Sequence, residues 1–182
     1  MVKKTRFSTF ELTLLALFSA LIVAAKVGLR FPIQVPGHSG VFWMALMVTA
    51  LGIVPKLGAG TLVGLTSALL AAFLGLGDLG AIYTFVSYLM LGVAADLVAH
   101  FLGGVKKPIP AALVGGVGNV AKMLVKTLMA TLMGIPAGFV ALGMVYSFAT
   151  NLISGAVGGI LGYLILKALR KAGFFAYLRE KR

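Results

Sequence analysis

Asn119, Lys122 and Lys126 fall at i, i+3 and i+7, which puts all three on one face of a helix. The stretch around them is apolar, so an amide and two amines there are costly and mark a functional face. Amines in such a setting suit the capture of an anion, a carboxylate or a phosphate. Tyr83 and Ser87 share a second face, with Tyr88 adjacent, and Tyr146, Ser147 and Asn151 form a third group. Arg30, Gln34 and His38 sit in or beside the segment FPIQVPGHSG at 31–40, with Trp43 just after it and Asp78 in a later connector. Two prolines and two glycines forbid a continuous helix through that segment, which could close over a site as a lid.

Several chemistries are excluded by what these residues are not. The chain has four acids, Glu11, Asp78, Asp96 and Glu180, and no cysteine. Walker A, H-E-x-x-H, G-x-S-x-G and paired-carboxylate motifs are all missing. Thiolate metal sites and disulfides are impossible, and His38 has no clear second ligand, so no metal or cofactor is expected. Asp96 and His100 at i, i+4 are expected to form a local structural pair. The expectation is a binding protein and not an enzyme. A membrane-embedded enzyme using Asp78, Asp96, His38 or His100, and a ligand-free assembly subunit, stand as the alternatives.

Long apolar blocks must position these groups. Sixty per cent of the 182 residues are apolar and 11% are charged, against about 25% charged in a soluble domain. The solvent for most of the chain is therefore expected to be lipid, and blocks without strict alternation imply helices in place of a β-barrel. An all-α polytopic domain over 1–182 is expected, with six transmembrane spans at about 10–28, 41–54, 57–76, 81–102, 110–133 and 137–166. The first block lacks an A-x-A-like cleavage site and reads as a span, not a signal peptide.

The net charge of +12 lies in the gaps between blocks, which signals membrane orientation and argues against nucleic acid. With six spans, twelve Lys and Arg fall on one side: Lys3, Lys4, Arg6, Lys56, Lys106, Lys107, Lys167, Arg170, Lys171, Arg179, Lys181 and Arg182. Lys26 and Arg30 fall on the other. The asymmetry predicts cytoplasmic N- and C-termini and a multi-pass protein of the plasma membrane. In that topology the polar residues of the fourth, fifth and sixth spans lie at mid-depth or toward the outer face. Aromatic walls with a few polar anchors there suit a small-molecule pocket open to the outside.

Glycines recur at four-residue spacing in Gly60/Gly64, Gly155/Gly159 and Gly158/Gly162, which lets helix backbones approach closely. Ala16, Ala20 and Ala24 make a smooth stripe on the first span, fit either for internal packing or for a partner in the membrane. With that stripe, the proline-bearing 31–40 segment and the outer polar groups, the chain resembles the substrate-binding membrane subunits (S components) of energy-coupling factor transporters. The likeness covers nearly the whole chain. It implies capture of a small vitamin-like substrate from outside, with Ala16, Ala20 and Ala24 docking on a transmembrane coupling subunit driven by two ATPases. The loop after the first span would be the lid, and substrate would sit among the fourth to sixth spans.

Overall fold

The computed structural model of the chain describes residues 6–28, 39–76, 80–134 and 136–176. They form six helices and, among the described residues, no strand: α1 (Thr9–Gly28), α2 (Gly40–Ile53), α3 (Ala59–Phe73), α4 (Ala81–Phe101), α5 (Pro108–Leu132) and α6 (Ala137–Lys171). Each lies within a few residues of an expected block. By length and composition four helices can cross a membrane, α1, α4, α5 and the 141–171 stretch of α6. At a rise of about 1.5 Å per residue, α2 and α3 are only ~21–23 Å long, short of a hydrocarbon core of about 30 Å.

The starts and stops have local causes. Ser8 and Glu11 form a reciprocal capping box at α1: the Ser8 N–H donates to Glu11 Oε2 at 2.9 Å, and the Glu11 N–H donates to Ser8 Oγ at 3.2 Å. Pro108 opens α5 at a position where the missing N–H costs nothing. The sixth helix runs beyond the expected end at 166 because nothing breaks it before Gly173, whose φ of 76° turns the chain.

The second helix is the hub. It is apolar all round, so no face of it suits water, and it touches all five other helices. Its lone hydroxyl, on Thr49, bonds back to the Ala45 carbonyl at 2.7 Å. Around it α3 packs on α4, α4 on α5, and α5 on α6. Glycine spacing sets two of these seams. A Cβ on Gly64 would meet the Gly92 Cα and the Tyr88 carbonyl at 2.8 Å, and one on Gly155 would meet Asn119 Cβ at 2.8 Å and the Gly115 carbonyl carbon at 2.9 Å. Gly158 and Gly162 lie against Val41, Met44, Ala45 and Val48, which fixes α2 parallel to α6. Contacts at Glu11–Lys56 and Ser19–Val63 fix α1 parallel to α3. The register therefore alternates up and down along the chain. The outward surfaces stay apolar, with Leu142 and Val145 of α6 about four-fifths exposed.

Candidate functional site

One end of the bundle gathers the C-terminal end of α1, the start of α2, the first half of α4 and the second half of α5. Lys122 of α5 is half-buried there. Its ammonium lies 3.5 Å from the ring centroid of Trp43 and 4.9 Å from that of Tyr88. The two rings meet edge to face at 5.9 Å, and both are almost fully buried. A cation over a desolvated ring face is held by about 2 kcal/mol.

A second ammonium reaches the same ring. Lys26, in the last turn of α1, puts Nζ 5.2 Å from the Tyr88 centroid. Its placement at a helix C-terminus suits the partial negative charge of that end. Since each nitrogen lies about 5 Å from one centroid, the two ammonium groups are no more than about 10 Å apart. At that separation two cations repel by roughly 1–2 kcal/mol at an effective dielectric of about 20.

Asn119 holds this cluster in place. It is fully buried, accepts from the Trp43 indole N–H at 3.4 Å, and donates to the Asn151 carbonyl at 2.9 Å and Ser154 Oγ at 3.2 Å. One side chain thus ties α2, α5 and α6. Gly40 leaves the room for it, because any Cβ there would overlap the Asn119 amide. With its carboxamide spent on protein partners, Asn119 positions Trp43 and is not a ligand contact. Asn151 is likewise buried, and its amide donates to the Ser147 carbonyl at 2.8 Å.

The expected residues therefore divide. Trp43, Tyr88, Asn119, Lys122 and Asn151 come together. Tyr83 and Ser87 are buried on α4, and Ser87 Oγ has no hydrogen-bond partner among the described residues. Lys126 and Tyr146 are exposed, and Ser147 is half-buried. Arg30, Gln34, His38 and Asp78 lie outside the described residues. The expected pairing of Lys122 with Lys126 fails for a physical reason. The second helix begins level with Asn119, so at Lys126, ~10 Å further along α5, no described residue of α2 roofs the helix. Lys26 takes the place expected of Lys126. It carries a signal in the sequence, being placed on the same side as the outer polar groups.

At the opposite end of the bundle, the acids do structural work. Asp96 does not pair with His100. Its Oδ2 accepts from the Gly58 N–H at 2.6 Å and Thr61 Oγ1 at 3.0 Å, and its Oδ1 from the Gly60 N–H at 3.4 Å. It caps α3 from α4, where the helix's own N-cap is Gly58, which has φ 95° and no side chain. His100 is exposed and lies edge-on to Phe101. Glu11, expected near a surface, is buried and paired with Lys56 at 2.5 Å. Lys56 also donates to the Arg6 carbonyl at 3.0 Å.

The three members of the alanine stripe, Ala16, Ala20 and Ala24, are all exposed, whereas Leu15, Ser19, Ile22 and Val23 face inward. Internal packing between the described helices does not consume the stripe. Among the described residues no cluster of His, Asp and Glu could hold a metal ion. Comparison with known proteins gives no match to a family model, a curated protein or a solved structure.

Proposed function

We propose that this chain is the substrate-capture subunit of a plasma-membrane importer, taking a small anionic, vitamin-like molecule at the Trp43–Tyr88–Lys122 cluster. The reading adopts six spans with both termini in the cytoplasm. It rests on one observation, the seating of the Lys122 ammonium on the Trp43 ring at 3.5 Å, at the end of the bundle that the distribution of basic residues assigns to the outside. A ring pair and a cation at one depth supply an apolar wall and an anchor for an acid, the usual make-up of a small-molecule site. The exposure of Ala16, Ala20 and Ala24 supports docking of α1 on a transmembrane coupling subunit that borrows energy from two ATPases.

Two experiments test it. Mass spectrometry of the purified protein should find a co-purified small acid that is lost in Lys122→Met. In membranes holding the transport system, Ala20→Trp should abolish uptake and leave ligand affinity unchanged within twofold. Loss of both together would remove the docking role. The lack of native cysteine also makes topology directly readable. Met133→Cys should react with an impermeant thiol reagent from outside, and Lys106→Cys only from the cytoplasmic face.

A further inference from the structure

We infer that the ligand is a dianion, with one anionic group held by Lys122 and the other by Lys26 across the Tyr88 ring. This rests on the capture-site reading and adds a second anchor and a charge count to it. The geometry carries it. Two ammonium groups from helices far apart in sequence reach the ring of one buried tyrosine, at 4.9 and 5.2 Å from its centroid. They are thus no more than about 10 Å apart, within the span of two carboxylates, or a carboxylate and a phosphate, on a small molecule. Bringing two cations together is unfavourable in an empty site, and a ligand with two negative charges turns that repulsion into attraction. The described acids do not serve the purpose, since Glu11 and Asp96 are engaged at the far end of the bundle. Between the cations lie the edge-to-face rings of Trp43 and Tyr88, which fit a flat or apolar linker between the two charges.

A consequence follows for α1. Lys26 lies two residues beyond Ala24, so the second anionic group would bind the helix whose exposed face carries the alanine stripe. Occupancy and the posture of that face are then coupled through Lys26.

The chain's sole tryptophan is Trp43, so its emission reports directly on the site. The test uses the full chain in nanodiscs and the three phthalate isomers, their monoamides and benzoate as probes. At least one phthalate should bind tenfold or more tighter than its own monoamide. Lys26→Gln should bring that phthalate down to its monoamide's affinity while shifting the monoamide less than twofold, and Lys122→Gln should weaken both. Equal affinity of every phthalate and its monoamide would overturn the dianion. So would a Lys26→Gln variant that weakens both forms alike, or failure of all three isomers to move Trp43 emission. If monoanions bind through Lys122 and Lys26→Gln changes nothing, the dianion falls and the capture site stands. If no probe binds through Lys122 and no acid co-purifies, both fall.

Discussion

The two ends of this bundle treat charge in opposite ways. At one end each described acid meets donors built for it: Glu11 has Lys56 and the Ser8 N–H, and Asp96 has the open N-terminus of α3. At the other end two lysines are laid on the faces of buried aromatic rings. The first arrangement is an electrostatic lock, in which the charge of one helix ends is fixed by a neighbour. The second concentrates like charge beside apolar surface, which does little to hold helices together and much to receive an anion. Removing a charge at the first end should therefore cost stability, and at the second end affinity.

The sharpest way to break that contrast is at Lys56. The Glu11 carboxyl is 2% exposed, so Lys56→Met leaves a buried carboxylate without its cation. Such a loss costs about 3–5 kcal/mol, read as a large drop in the thermal midpoint in detergent. The affinity of the protein that remains folded should not change. A variant that loses ligand but keeps its midpoint would reverse the roles of the two ends.

Lys122→Met tests the other half. Ligand affinity should fall about 100-fold, equivalent to roughly 2.7 kcal/mol. The midpoint should move little, because the methionine side chain keeps its contact with Trp43 and is no longer repelled by Lys26. A smaller stability effect is expected at Asp96. Asp96→Asn keeps the shape but replaces one acceptor oxygen with a donor and removes the charge facing the α3 N-terminus. That should cost about 1–2 kcal/mol, again with affinity preserved.

The same contrast explains which parts of the molecule are legible in the sequence. Helix order follows from apolar blocks and their breakers, Pro55-Lys56, the stretch 103–108 and Gly134 to Pro136, because lipid or core solvation leaves no other way to satisfy the backbone. The glycine pairs are equally readable, since four-residue spacing on a helix is a property of the helix alone. Side-chain partnerships are less so. Spacing puts Asp96 beside His100, yet an uncapped helix N-terminus from α3 outcompetes an exposed imidazole for the carboxylate. Ser8-x-x-Glu11 is a capping box in plain sight, but its burial and its Lys56 partner come from a connector 45 residues away. Lys26 presents itself first as an orientation charge. Only the packing of α1 near α4 brings it to Tyr88.

Lys126 gives the smallest expected effect and the finest test of where the site ends. On α5 it lies one turn from Lys122, and spacing alone makes the two a pair. The fold separates them: α2 begins at Gly40 against Asn119, so the aromatic wall that Trp43 supplies to Lys122 is not repeated at Lys126, which stays exposed. An exposed lysine on a long flexible stem can carry its ammonium toward the interface. Lys126→Gln should therefore shift both the midpoint and ligand affinity by less than about 0.5 kcal/mol, as read by the same Trp43 titration and melting curve. A tenfold loss of affinity in Lys126→Gln, with Lys26→Gln silent, would move the second anchor from α1 to α5. It would also uncouple ligand capture from the helix that carries the alanine stripe.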